Sequence, residues 1–332
     1  PQDCFDFHSA ISKEIVPIIT LFNKERKDKL GYQKYKPWDI TVDVDGLTPL
    51  KPFNGSKELT NKSIKCLNKL NPYFGEFLSI MQEMQYLDLE SKNGKAPGAW
   101  CTNLSEINMP FIYMNAVGSQ SDLVTMIHEV GHAIHSFLMK DLEFVLKNPP
   151  SEVCELAAMS MEVLSMKHWD IFYSNSKQLK KAKIELLKRG LIIIADVARG
   201  DAFQHWVYTN EHNAKERKKK WNELCSEFES PIIDWDGQEN FRRNNWQSRL
   251  HFFGMPFYYI EYAIAQLGAF SIWKAYKDSE KKTLTKYIEA LKLGNTKSIT
   301  EIYKTAGIKF DFSASYVKEL ADFIKEEINK LN

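Results

Sequence analysis

Apolar residues recur at three- and four-residue steps along most of this chain, in segments 5–28, 57–88, 121–139, 151–173, 177–206, 256–276, 280–293, 297–305 and 314–330. That period is the pitch of an α-helix surface, so each segment must bury one face against another element. A chain built this way folds as packed helices around a shared core. Two short stretches break the pattern. GAWCTNL (98–104) and PFIYMNA (110–116) are rich in aromatic and β-branched residues and are separated by SEINM. They predict a small hairpin or two sheet strands, entered from the glycine-hinged loop KNGKAPG. Residues 33–56 carry proline, glycine and aspartate at intervals and read as an irregular connection. The expected fold is mostly α, multi-helical, a single domain over 1–332, with a small sheet just before the helix at 121–139.

Charge and cysteine usage narrow the function classes. A net charge of +1 leaves no global field to gather nucleic acid or an anionic membrane, so neither is expected as a partner. The main basic run, KERKKKW (215–221), reads as a solvated helix face or loop. Cys4, Cys66, Cys101, Cys154 and Cys225 lie far apart. An odd count without paired spacing argues against a disulfide framework and for a reducing compartment, so a cytoplasmic location is expected. No CxxC pair offers a thiolate zinc site. No apolar run approaches the ~20 residues of a membrane span, and nothing reads as a signal peptide. The opening, PQDCFDFHSA, lacks an initiator methionine; a processed chain or a piece of something longer is expected.

HEVGH, at 128–132, stands inside SDLVTMIHEVGHAIHS (121–136). Leu123, Val124, Ile127, Val130 and Ile134 make this helix largely buried, and Ser119, Ser121 and Asp122 supply its cap and first turn. A buried helix is an expensive place for two histidines and an acid without a shared purpose. His128 and His132 lie one turn apart on one face, so both imidazoles can bind one ion, with Glu129 beside them as a base for water. Gly131 leaves room for a close neighbour.

A catalytic zinc takes three protein ligands and keeps one position open. The next helix, SEVCELAAMSMEVL (151–164), follows Pro149 and Pro150 and carries Glu152, Glu155 and Glu162. Glu152 belongs to the first turn, where the helix dipole accounts for it. Glu155 and Glu162 share a face two turns apart, among Leu156, Ala157, Ala158, Met159 and Met161. Glu155 is the expected third ligand of a single Zn2+ ion. Glu162 is expected to hold a histidine ring, with a surface salt bridge as its other reading.

HFFGMPFYYIEYAIAQ (251–266) crowds three phenols beside His251. With Pro256 in the first turn of a helix, Tyr258 and Tyr262 share a face by four residues, and Tyr259 and Tyr262 by three. One reading is an aromatic core stripe with phenol ends at the rim. The other is a set of donors to the oxyanion that forms when water adds to a carbonyl, where one donor contributes about 3 kcal/mol. His135 reads as a packing histidine. His8, His168, His205 and His212 show no metal spacing, and His205 reads as structural.

HEVGHAIHS followed by SEVCELAAMSME resembles the oligoendopeptidase F and thimet oligopeptidase family of zinc peptidases. FHSAI, KPWDI, DGLTPLKPF, GAWC, PFIYMN, DAFQHWVYTN, WQSRLHFFGMPFYYIEYAIAQLGAF and IKFDFS match its oligoendopeptidase F branch, in order, across almost the whole chain. The resemblance implies a nearly all-helical fold with zinc on the floor of a deep channel, and cleavage of short peptides inside their chains. It implies His128, His132 and Glu155 as zinc ligands and Glu129 as general base. It implies His251 and tyrosines as oxyanion donors, with Tyr258 and Tyr262 favoured and then Tyr259. PFIYMN would offer an edge strand to the extended peptide, under the loop around Gly98. Family members usually carry a further N-terminal helical lobe. A cut face is therefore expected on the first helix, exposing Ile11, Ile15, Ile18, Ile19 and Phe22, with a tendency to bind that lobe or to self-associate.

Two rivals remain open at this level. A metallocarboxypeptidase of similar helical shape needs a cationic pocket, for which Arg242, Arg243 and Arg249 are candidates. A zinc-holding, non-catalytic peptide-binding fragment needs only the ligands.

Overall fold

In a computed structural model describing residues 2–46, 49–104 and 106–331, most of the chain is helical. Leu47 and Thr48, within the connection at 33–56, and Ser105, within SEINM, lie outside the described residues. The helices are α1 Gln2–Glu14, α2 Val16–Leu30, α3 Gly55–Leu70, α4 Pro72–Glu83, α5 Gln120–Leu138, α6 Ser151–Ser165 and α7 Ser176–Thr209. After them come α8 Ala214–Phe228, α9 Glu239–Arg242, α10 His251–Gly254, α11 Ile260–Asp278, α12 Glu280–Leu291, α13 Ile299–Ala306 and α14 Ala314–Leu331. The strands are β1 Leu87–Glu90, β2 Trp100–Leu104 and β3 Met109–Ala116. Among the described residues no helix is long and apolar enough to cross a membrane.

The chain gathers into two compact units, each assembled from separated stretches. The first is Pro1–Thr48, Lys188–Leu267 and Asp311–Lys330; the second is Pro49–Leu187, Gly268–Phe310 and Leu331–Asn332.

In the first unit, Pro17 splits the expected helix at 5–28. Proline cannot continue the backbone ladder but suits a first turn, so α1 ends at Glu14 and α2 begins at Val16. Gly31, at φ 67°, closes α2 with a left-handed cap. Ile11 and Ile15 are fully buried, and Ile18, Ile19 and Phe22 are at most 8% exposed. The expected exposed face on this segment is thus overturned: its apolar stripe is already covered. KERKKKW falls in α8, whose start is fixed by the Asn213 side chain accepting from the Lys215 and Glu216 backbone N–H groups. Trp221, Leu224, Cys225 and Phe228 form its buried face, which leaves the lysines solvated. The helix expected from 256 begins instead at Ile260. Phe257 has φ 61°, a left-handed conformation that no helix can propagate through. Tyr258 and Tyr259 therefore precede α11, and helical spacing does not relate them to Tyr262.

In the second unit, the segment expected as one helix at 57–88 yields two helices and a strand. Pro72 starts α4, with the Asn71 side chain accepting from the Tyr73 N–H at 3.0 Å. Gln85, at φ 62°, then turns the chain into β1. The sheet order is β1-β3-β2: β1 runs parallel to β3, and β2 antiparallel with Trp100 opposite Tyr113 and Cys101 opposite Ile112. Their rings stack at 3.9 Å between Trp100 and Tyr113. PFIYMN is consequently the central strand, paired on both sides, and cannot be the edge the sequence suggested. The edges are β1 and β2. β2 and β3 pack against α5, and α5 packs closely along α6.

Candidate metal centre

The position of HEVGH is set at the start of α5. Ser119 Oγ accepts from the Asp122 N–H, and Asp122 Oδ2 accepts from the N–H groups of Val117, Gly118 and Ser119 at 2.8–3.0 Å. This reciprocal cap satisfies donors that a helix start otherwise leaves unpaired. Leu123, Met126, Ile127, Val130, Ala133 and Ile134 are fully buried, so the rotation of α5 is fixed by its core face. Gly131 decides what lies opposite. A Cβ there would stand 2.6 Å from Ala158 Cα and 3.1 Å from the Ala157 carbonyl. Only a glycine lets α6 come this near. Tyr287 of α12 steadies α6 from behind, its buried hydroxyl donating to the Ala157 carbonyl at 2.6 Å.

The approach places acids of α6 among the histidines of α5. His128 Nε2 and His132 Nε2 are 3.2 Å apart. Glu155 Oε2 is 3.4 Å from His128 Nε2, and Glu155 Oε1 is 3.9 Å from His132 Nε2. Donors around a tetrahedral ion with bonds of ~2.0–2.1 Å stand roughly 3.3 Å apart, close to these separations. Glu162 Oε1 lies 2.7 Å from His128 Nδ1, the ring nitrogen on the far side from that convergence. Glu152, in the first turn, is not in the cluster of His128, His132 and Glu155.

Electrostatics at this point favour a cation. Burial works to discharge His128, yet hydrogen bonds and charge from Glu155 and Glu162 push its pKa up to about 10. Burial and the neighbouring His128 charge hold His132 neutral, down to about 4. Two buried carboxylates thus draw positive charge onto the place where the nitrogen donors meet. Glu129 is 5% exposed; burial pushes its pKa up to about 7, with the His128 charge and the Cys101 backbone N–H opposing. Its Oε2 is buried without a hydrogen-bond partner among the described residues. Two nitrogens, a carboxylate and surplus negative charge fit a divalent ion such as zinc. His135, also on α5, is 2% exposed and held neutral, its pKa lowered to about 3 by burial and then by His132.

The contact of Glu129 with Cys101 identifies β2, in GAWC, as the edge strand beside the centre. Sequence reasoning chose its neighbour; only the strand order distinguishes them.

The phenols lie in the first unit. His251 stacks on Tyr258 with ring centroids 6.0 Å apart and planes within 2°, and Tyr262 Oη is 3.4 Å from His251 Nε2. Tyr259 differs. Its hydroxyl donates to Asp196 Oδ2 at 3.0 Å, and its ring presses on Gly200, where a Cβ would stand 2.7 Å away. Burial, then the Asp196 charge, pushes the Tyr259 pKa up to about 12. Asp196 also pairs with Arg199 and Arg249, while Arg199 and Arg242 pair with Glu229. Sequence reasoning missed this network, because Asp196 and Glu229 carry no motif. Two of the three arginines considered for a carboxylate pocket are committed to it.

Comparison with known proteins bears on the family and the fold. Residues 1–322 match the family model of Peptidase family M3. An oligoendopeptidase F homolog of Borreliella burgdorferi is 24% identical, over 96% of this chain and 54% of its own length. One of Lactococcus lactis subsp. lactis is 22% identical, over 100% of this chain and 55% of its own. The chain spans about half the length of the curated relatives it matches. Among solved structures, PZ peptidase A with an inhibitor superposes with a TM-score of 0.92 at 28% identity, covering 99% of this chain and 58% of that one. Oligoendopeptidase F from Enterococcus faecium gives 0.65 at 16% identity, over 100% and 52%, a likeness of fold alone.

Proposed function

The chain belongs to Peptidase family M3, and from that premise we propose that it is a zinc-dependent endopeptidase of the oligoendopeptidase type, hydrolysing internal bonds of short peptides. The observation that carries this reading is the convergence of His128, His132 and Glu155, with Glu129 and the β2 edge alongside. His128, His132 and Glu155 would hold one Zn2+. When bound, zinc supplies Lewis acidity to the scissile carbonyl and acidifies water to a pKa near ~7.

The chain's own groups do the remainder. Glu162 fixes the His128 ring through Nδ1, leaving Nε2 for the ion. Glu129 takes the proton of the attacking water and returns it to the leaving amine. Among the described residues β2 pairs with β3 alone, and its other side would align the extended peptide by main-chain hydrogen bonds, as added strands do. By the family resemblance, His251, Tyr258 and Tyr262 would be the donors to the oxyanion, while the Tyr259 hydroxyl is held by Asp196.

The carboxypeptidase reading loses support because Arg242 and Arg249 face Glu229 and Asp196. The proposed partners are short peptides. All five cysteines are free, which suits a cytoplasmic location.

A quenched peptide with zinc-loaded protein tests the reading. Internal cleavage that stops on chelation and returns with zinc is expected. Release of single C-terminal residues would favour the carboxypeptidase, and peptide binding without turnover the non-catalytic fragment.

A further inference from the structure

The first unit holds a second set of donors, unrelated to HEVGH. Cys4 and His8 lie one turn apart on α1, and Asp201 and His205 one turn apart on α7. The two pairs face each other. His8 Nε2 is 2.9 Å from Asp201 Oδ2, and His205 Nε2 is 3.4 Å from the same oxygen. One donor atom from each of Cys4, Asp201 and His205 lies within 4.8 Å of the other two. Asp201 is 1% exposed, and its Oδ1 is buried with no hydrogen-bond partner among the described residues.

We propose that Cys4, Asp201 and His205 form a second metal site, taking a divalent ion of the zinc and cobalt class and tying α1 to α7. A thiolate with an imidazole and a carboxylate selects borderline-soft ions over magnesium or calcium. Thiolate and carboxylate together balance a double positive charge. His8 secures the other oxygen of Asp201, as outer partners of metal-bound carboxylates do. Phe5 and Phe257 flank the His205 ring at 5.0 and 4.8 Å and hold its orientation. Cys4 and His205 are only half-buried, so an ion can enter.

Two simpler readings explain less. A His8–Asp201 ion pair alone leaves the buried Oδ1 unmet, which is costly for a carboxylate. A nucleophilic cysteine needs a depressed pKa, whereas burial and then the Asp201 charge push that of Cys4 up. A bound ion would instead displace the thiol proton. From sequence, His8 and His205 showed no metal spacing because each is paired with a different residue type; the set exists only once α1 meets α7.

The test is cobalt(II) titration of the metal-stripped full chain. HEVGH with Glu155 contains no thiol, so thiolate-to-cobalt charge-transfer absorption in the near ultraviolet reports this site alone. The expected result is two ions per chain with that band. Cys4→Ser should lose the band and fall to one ion, and His205→Ala should weaken the same ion. Glu155→Ala, which disables the other centre, should keep one ion and the band; success here is therefore independent of the proposed peptidase function. Saturating cobalt without the band in the wild-type chain would overturn the proposal, and so would a band that survives Cys4→Ser.

Discussion

Gly131 and Ala158 lie so close that a single methyl between them would stand 2.6 Å from a backbone atom. This contact between α5 and α6 brings Glu155 and Glu162 to the histidines. Gly131→Ala should raise helix propensity by about 1 kcal/mol, yet forcing the helices apart costs about 1–3 kcal/mol. A net loss of stability in urea is expected, together with weaker zinc binding. An increase in both would mean that the helices are not held at this separation.

Glu129 is assigned to proton transfer and not to ligation. Glu129→Gln should retain the ion and lose about 10²–10⁴-fold in turnover. Metal content by mass spectrometry, read beside the rate of internal peptide cleavage, checks both halves. Wild-type turnover in this variant would remove Glu129 from the mechanism.

The three acids of α6 should separate by zinc affinity. Glu155→Ala should weaken binding most. Glu162→Gln, which alters the partner of His128 Nδ1, should cost about 10–100-fold. Glu152→Ala should change little. Competition with a chelator gives the order, and a reversed order of Glu152 and Glu155 would refute the ligand set.

The tyrosines should divide between catalysis and stability. Tyr258→Phe and Tyr262→Phe should lower kcat, each by up to about 10²-fold, with zinc content unchanged. His251→Ala should act likewise. Tyr259→Phe breaks the bond to Asp196 and should cost about 1 kcal/mol of stability. Wild-type kcat in Tyr258→Phe, Tyr262→Phe and His251→Ala alike would return the cluster to core packing.

Asp196 should make stability acid-sensitive. Burial opposes its charge, but Arg199, Arg249 and Tyr259 together hold its pKa below the usual carboxylate range. A depressed folded-state pKa contributes stability that is full above the unfolded value of about 3.9 and is lost as pH falls through the folded one. Asp196→Asn should therefore be less stable than wild type at pH ~6–7, with the gap closing in acid. Thermal midpoints across pH test it; a constant gap would deny the linkage.

Local geometry made part of this protein legible in its residues. A helix of any protein puts His128 and His132 on one face, and proline at 17 and 72 interrupts helices wherever they are packed. The polar acids of an apolar helix made Glu155 and Glu162 candidates, and the absence of a Cβ at Gly131 signalled a close neighbour. Those inferences need only neighbours within a few residues. What the chain does at long range was decided by tertiary packing. PFIYMN and GAWC have the same strand signal, and only the parallel addition of β1 to β3 puts one in the centre and leaves the other at the edge. Phe257 reads as helical, but the fold holds it at φ 61° and starts α11 at Ile260. The apolar face of α1 and α2 reads as available, and its burial depends on what packs over it. Cys4 and Asp201 are distant in sequence and acquire a common role only where α1 crosses α7. Spacing along one helix is fixed by covalent geometry; which helix lies opposite is chosen by the burial of the whole core.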